Sequence, residues 1–392
     1  MSEIEKSILF VNVGPSYSKN FKYYTSAKFW DFFSCAVSDV ETVGYIGPFS
    51  ENTPKNLALF PVSGCRTYKL PFFSSQREFY WKYITSLFFR NELNVVLSEL
   101  AKFNFDVVYL RDFGLFPYLV VKRLVKNNPD IRVVLHITSD TKKLAESNFK
   151  GIKKHVYRFY SMFRFNFEYK FLTKFDHKVL LNSPHPYFNF NDNCHLMMAH
   201  SSKGFKSREE AYACVNRTFE VDAPYILFVG RISKEKGVGI LIDSFLGSKD
   251  LKNKFKLLIA GDGPELAAIK KNYECSEIVF LGNVSNQGIL DNLYSASSCV
   301  VIPSLEDGVP KVLMESLSCG AVTLASRVGF IDKILDSRYI FEPGNVNQLT
   351  ELIEAVLVGD ESNKVKDWFL LESERFSSEA LQARVKKFIF SD

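Results

Sequence analysis

Residues 303–320 read PSLEDGVPKVLMESLSCG, and the meaning of this stretch decides what kind of molecule the chain is. Two carboxylates, Asp307 and Glu315, stand eight positions apart. Between them Gly308, Val309 and Pro310 form a turn, followed by the apolar run Val312–Leu313–Met314. A loop with free backbone thus passes into a buried helix, with an acid at each end of the passage. The first N–H groups of a helix have no partner within it and attract anions. Carboxylates beside them can accept hydrogen bonds from a polyhydroxylated ligand. An ordinary acid-capped turn looks the same, so the neighbouring segments decide the meaning.

Those neighbours are strands that end in glycine. Tyr225–Val229 (YILFV) runs into Gly230-Arg231, with Lys236-Gly237 a few residues on. Two cations in a strand-to-helix loop, beside helix N–H groups, suit a diphosphate. Lys256–Ala260 (KLLIA) runs into Gly261-Asp262-Gly263-Pro264, a turn that can line a nucleotide cleft or be no more than tight. Ile278–Leu281 (IVFL) runs into Gly282-Asn283-Val284, where backbone groups can meet a base edge. Cys299–Ile302 (CVVI) leads into the opening stretch and Ala321–Ala325 (AVTLA) follows it. Helical patterns over 238–247, 264–272 and 286–297 fill the intervals. Strands alternating with helices imply a doubly wound parallel sheet whose ligand loops lie at the carboxyl ends of the strands.

The first half has the same rhythm. Ile8–Val13 is a short apolar strand ending at Gly14-Pro15, residues 22–37 read as helical, and Thr42–Ile46 reads as a second strand. Residues 76–101 carry apolar positions at helical spacing, and Asp106–Leu110, Arg132–Ile137 and Lys178–Leu181 read as further strands. The polar run 200–223 reads as an irregular interdomain connection.

At 392 residues the chain is long enough for two cores. It is 46% apolar and 24% charged, the composition of a soluble globular protein. Aromatics reach 15%, with 37 Phe, from either compositional bias or exposed rings that meet lipid or sugar. Seven cysteines (35, 65, 194, 214, 275, 299 and 319) are scattered singly, which excludes a CxxC zinc site and argues for reduced thiols in a cytosol. No GxxxxGK[ST] occurs, so a Walker-type phosphate loop is excluded. The start, MSEIEKSILF, is not a signal peptide. No apolar run approaches the roughly 20 residues of a membrane span.

The net charge of +5 is mild, but its distribution is uneven. Residues 142–178 hold eight Lys, two Arg and ten aromatics, with apolar positions every three or four residues. A basic amphipathic helix of this kind suits an anionic membrane surface, although the same stripe also suits core packing. Residues 71–90 have a similar character. No recognition motif accompanies the charge, so nucleic acid is not the expected partner.

Taken in order, YILFVGRISKEKG, LLIAGDGPEL, VFLGNVS and VIPSLEDGVPKVLMESLSCGAVTLAS resemble the carboxyl-terminal nucleotide domain of retaining GT-B glycosyltransferases of family 4. The likeness covers about residues 224–345. It implies an α/β GT-B fold, with two doubly wound Rossmann-like domains facing a cleft: an acceptor domain over 1–205, a nucleotide-sugar domain over 206–375, and a final helix over 376–392 returning to the first domain. It implies transfer of a sugar from a nucleotide diphosphate, most simply UDP, to a glycan or lipid-linked acceptor of bacterial surface polysaccharide. The protein would be cytoplasmic, and peripheral at the inner membrane face.

By the same resemblance, Arg231 and Lys236 hold the leaving diphosphate and Glu315 binds ribose. Asp307, where the family usually has Glu, faces the donor sugar, with Glu306 beside it as a competitor. Gly230, Gly261, Gly263, Gly308, Val309 and Val284 offer backbone to the donor. In the first domain Gly14 marks a loop closing on the diphosphate, and His136 approaches the transferred sugar. The loop after Gly14 lacks the second glycine of many relatives. Fixed cations can stabilise a leaving diphosphate without a metal, so no metal or other cofactor is expected. A nucleotide-sugar epimerase on the same fold would need acid and base groups around one sugar. A non-catalytic binding protein is the reading that Asp307 in the place of Glu supports.

Overall fold

A computed structural model describes the chain except for residues 1–5, 20–21, 26–28, 53–58, 139–154, 156–165, 168, 183–187, 189–192, 201, 205, 222, 274, 360–361 and 392. The chain divides into two compact units. One is Met1–Met197 with Gln382–Asp392, and the other is Met198–Leu381. The division falls earlier than the 205/206 boundary read from the sequence.

The second unit is built on six parallel strands. Across the sheet they run Ile278–Gly282, Lys256–Ala260, Tyr225–Val229, Cys299–Ile302, Thr323–Ser326 and Ile340–Phe341. In chain order that is third, second, first, fourth, fifth, sixth, which is the Rossmann arrangement. The central strands are apolar along their whole length because helices cover both faces. Leu227, Leu257, Leu258 and Ile259 are fully buried, as are Leu241, Ile242 and Phe245 of helix Val238–Gly247.

The first unit repeats the plan. Its parallel strands Ser7–Val11, Thr42–Ser50, Arg66–Leu70, Val107–Arg111, Arg132–Ile137, His177–Leu181 and Cys194–Leu196 are again ordered third, second, first, then fourth onward. A ribbon of Ser16–Lys19, Lys22–Thr25 and Phe60–Pro61 joins the far end of the long strand at Phe49–Ser50. Much of the aromatic content lies inside this unit. The Phe10 ring sits 4.7 Å from Phe33, 5.1 Å from Trp30 and 5.5 Å from Tyr109, and all four rings are buried.

Several expectations need correction. Residues 22–37 are not one helix: Lys22–Thr25 pairs in the ribbon and the helix is Phe29–Ala36. The stretch 76–101 is two helices, Gln76–Thr85 and Leu87–Leu100, because Ser86 ends one and caps the other by accepting from the Phe89 N–H. The supposed connection at 200–223 contains the helix Arg208–Phe219. Ser207 caps its start, and Ala211 and Val215, four apart, are buried in the core of the second unit. Of the amphipathic segment 142–178, most lies outside the described residues. In its described end, Phe171 and Leu172 are buried, with Phe171 5.0 Å from Tyr118 and 5.5 Å from Phe113.

The final helix, Ser378–Phe390, ends within the first unit. Lys6 Nζ donates to the Phe390 carbonyl, and Lys178 Nζ donates to the Ser391 carbonyl at 2.6 Å. Phe388 stacks on His195 at 4.4 Å.

Phe245 has no exposed surface and sits where helix Val238–Gly247 meets the sheet. Phe245→Ala is expected to lower unfolding free energy by about 3–5 kcal/mol, read as an earlier midpoint in urea denaturation.

Candidate active site

In an open doubly wound sheet, ligands bind outside the carboxyl ends of the strands, where the strand order reverses. In the second unit that point lies between Tyr225–Val229 and Cys299–Ile302, which pair directly. The loop 230–237 leaves one strand and the loop 303–310 leaves the other. Topology alone therefore brings the Arg231–Lys236 segment beside the Asp307 segment.

Close backbone packing fixes the register of these loops. Gly237 takes φ +65°, and a Cβ there would lie 2.0 Å from the Pro303 carbonyl oxygen. The Leu305 N–H donates to the Glu235 carbonyl at 2.8 Å. With the loops held so, Lys236 Nζ reaches Asp307 Oδ2 at 2.5 Å, and both side chains are largely shielded from solvent. Ser304 Oγ lies 3.4 Å from the same oxygen, and Asp307 Oδ1 accepts from the Gly308 N–H at 3.0 Å. A Cβ on Gly329, which takes φ +57°, would lie 2.2 Å from the Gly308 carbonyl oxygen, so the turn at Gly329 buttresses the Asp307–Gly308 loop from behind. Glu306 is exposed and its carboxylate contacts none of these groups, so Asp307 is the acid that meets the lysine.

Arg231 is exposed, and its side chain has no hydrogen bond or ion pair among the described residues. Glu235 nearby is held below the ordinary carboxylate range, first by the Ser233 hydroxyl that donates to it at 2.6 Å. Gly261 and Gly263 serve a local purpose. Cβ atoms there would lie 1.8 Å from the Gly230 carbonyl oxygen and 2.2 Å from that of Ile232. The GDG turn is thus glycine-rich because it packs directly on the 230–232 loop. Val284 is half-buried against the core, just after Gly282, and Val309 is half-buried in the loop before helix Lys311–Ser318.

Glu315 lies in that helix, 4% exposed. Its Oε2 accepts from the Tyr294 hydroxyl at 3.1 Å, and Lys311 Nζ, one turn back, lies 2.8 Å from Oε1. Burial, with the Glu315 carboxylate adjacent, keeps the Tyr294 hydroxyl protonated far into alkali. Pro310 precedes the helix and no side chain caps its first N–H groups.

In the first unit, Gly14 closes a turn built by Asn12, whose amide Nδ2 donates to the Gly14 carbonyl at 2.8 Å. His136 is 2% exposed, with Nδ1 2.9 Å from the Tyr109 hydroxyl and Nε2 against Asn182 Oδ1. Both ring nitrogens therefore have protein partners.

Comparison with known proteins identifies the loop-bearing half. Residues 216–367 match the family Glycosyl transferases group 1. Over that span the chain is similar to glycosyl transferases group 1. An uncharacterized glycosyltransferase of Methanocaldococcus jannaschii is 33% identical over 153 residues, covering 37% of this chain and 41% of its own length. A lipopolysaccharide 1,2-N-acetylglucosaminetransferase of Salmonella typhimurium is 25% identical over 161 residues, covering 37% and 42%. The matched part thus spans about two fifths of these relatives. The fold likeness is wider. The crystal structure of Anabaena HepE in complex with UDP and glucose superposes with TM-score 0.62 at 14% identity, covering 98% of this chain and 99% of that one. The shared architecture of two Rossmann-like units is the GT-B fold.

Within the matched residues, reading by motif missed Lys311 and Tyr294, which hold Glu315. The i, i+4 spacing of Lys311 and Glu315 was the available signal for the first. Tyr294 lies in another helix, and no sequence spacing links it to Glu315.

Burial and the nearby Arg111 charge pull the His136 imidazole down from 6.5 to about 4. A histidine held neutral in the folded state contributes stability that is fully present above the unfolded pKa and is lost as pH falls towards the folded one. The difference is worth about 3 kcal/mol. Unfolding free energy is expected to fall by about that much between pH 6.5 and 4. His136→Gln should remove that part of the slope, as measured by urea titration at each pH.

Proposed function

We propose that the protein is a retaining glycosyltransferase of family 4, moving a sugar from a nucleotide diphosphate, most simply UDP, to a glycan or lipid-linked acceptor of bacterial surface polysaccharide. The observation that carries this reading is the meeting of Lys236 and Asp307 at the switch point of the group 1 domain. Departure of a nucleoside diphosphate builds negative charge on phosphate and positive charge on the sugar. Preorganised cations on the phosphate side lower that barrier. Arg231 and Lys236 fill this role, joined by the uncapped N–H groups at the start of helix Lys311–Ser318. Asp307 turns from Lys236 to a sugar hydroxyl as the donor enters, which frees the ammonium for the diphosphate. Glu315, held by Tyr294, accepts from the ribose hydroxyls once Lys311 gives way. The backbone at Gly230, Gly308, Val309 and Val284 completes the donor contacts. The two protein cations meet the leaving charge, so this mechanism calls for no metal. The UDP in the HepE structure and the lipopolysaccharide assignment of the Salmonella relative support the donor and acceptor classes.

Release of nucleoside diphosphate from a panel of donor sugars tests this reading. Lys236→Ala is expected to lower turnover at least about a hundredfold, as removal of one oxyanion-stabilising donor does elsewhere. EDTA is expected to leave the wild-type rate unchanged. Wild-type rates in Lys236→Ala would refute the role given to that lysine.

A lipid-linked acceptor goes with a peripheral position at the cytoplasmic membrane face. No described helix is long and apolar enough to cross a membrane. Helices Gln76–Thr85 and Leu87–Leu100 instead present Trp81, Leu87 and Phe88, each about two-thirds exposed or more, with Tyr80 and Ile84 beside them. Arg77 and Arg90 flank these side chains. Aromatic rings with adjacent cations suit the headgroup region of an anionic leaflet, in addition to any contribution from 142–178. Replacing Trp81, Leu87 and Phe88 together by Ser is expected to abolish co-flotation with anionic liposomes. Failure of the wild-type protein to float at low salt would contradict membrane contact.

A further inference from the structure

The first unit has a switch point of its own, between Ser7–Val11 and Val107–Arg111, which pair in parallel. Arg111 is the last residue of the second of these strands. Its register partner on the next strand is His136, and Asn182 follows the strand beyond that. The ends of three adjacent strands thus carry Arg111, His136 and Asn182 in a row.

The hydrogen bonds in this row leave only donors free. Asn182 Oδ1 can only accept, so the His136 Nε2 beside it carries the proton. In a neutral imidazole Nδ1 then accepts, and the Tyr109 hydroxyl donates to it. This relay fixes the carboxamide of Asn182 by its oxygen. The Asn182 Nδ2 has no partner among the described residues.

Arg111 lies against the Phe29 ring, with its guanidinium carbon 5.5 Å from the centroid. Its Nε is buried without a hydrogen-bond partner, and among the described residues its side chain has no ion pair. The adjacent carboxylate does not answer it. Asp112 takes φ +61°, a left-handed backbone that is uncommon for a residue other than glycine. It directs both oxygens to Thr138, Oδ1 accepting from its N–H at 3.0 Å and Oδ2 from its hydroxyl at 2.7 Å. A guanidinium is always charged, and a buried N–H without an acceptor is costly. Strain at Asp112 that holds the nearest acid away from Arg111 makes sense if another anion takes its place.

We propose that Arg111 and Asn182 form an oxyanion subsite in the first unit, one that takes a phosphate or carboxylate group. Neighbouring strands lie about 4.8 Å apart. The two residues are two strands apart, a span that a long guanidinium and a carboxamide can close on one oxyanion. His136 and Tyr109 act as positioning residues that aim Asn182. The subsite stands on these contacts alone. Its place in a reaction rests on the glycosyltransferase reading, in which the oxyanion belongs to the acceptor.

The test is the Nε–Hε nitrogen–proton signal of Arg111 in the full chain, assigned by its disappearance in Arg111→Lys. Inorganic phosphate is titrated with and without saturating UDP. A saturable shift is expected, with the phosphate dissociation constant raised about tenfold or more in Asn182→Ala. The shift is expected to persist with UDP bound, as an acceptor group requires, and its abolition by UDP would overturn that assignment. An unmoved signal in the folded protein overturns the subsite. So does Asn182→Ala with unaltered phosphate affinity. None of these outcomes depends on turnover, so failure here is distinct from failure of the proposed activity.

Discussion

Everything proposed for the second unit depends on one contact, the 2.5 Å approach of Lys236 Nζ to Asp307 Oδ2. The two residues come from loops on neighbouring strands, and the contact exists because those loops are locked by backbone. Gly237 allows its chain to lie on the Pro303 carbonyl, and Gly329 allows another turn to lie against Gly308. A side chain at either position would push the loops apart, so the glycines set the distance that the charged pair then exploits. The pair is also a reserve. A lysine already held by a partly shielded acid is oriented before any anion arrives, and preorganisation of this kind is what electrostatic catalysis requires.

The shortened acid fits this geometry. Asp307 has one methylene less than the glutamate that the sequence resemblance leads one to expect there. Its carboxylate nonetheless spans Lys236, the Ser304 hydroxyl and its own following N–H. Glu306, the longer neighbour, points to solvent. The loop rather than the side-chain length places the carboxylate, and the turn at Gly329 supports that loop.

Sequence revealed some of this clearly and some not at all. The parallel strands of the second unit could be read because buried strands are continuous apolar runs, and YILFV, KLLIA and CVVI can hardly be anything else. The glycines of the GDG turn left a nucleotide contact and a plain tight turn both open, and their loop-on-loop packing is visible only in three dimensions. The helix Arg208–Phe219 was hidden because only Ala211 and Val215 of its twelve residues are fully buried, with Tyr212 and Phe219 packed partly against the core. His136 was visible as a histidine at a strand end, but its enclosure by Tyr109 and Asn182 is a tertiary fact. Arg111 gave no signal, since one arginine after VVYL is an ordinary strand end until its missing partners are seen.

The central claim is that the Lys236–Asp307 corner, with Glu315 beside it, receives a nucleoside diphosphate. Calorimetric titration of the full chain with UDP, GDP and ADP tests it most directly. The account predicts saturable binding of one of them, weakened about tenfold or more by Lys236→Ala and by Glu315→Gln, with UDP the first expected. Absence of binding by all three, or an affinity that neither substitution changes, would contradict it.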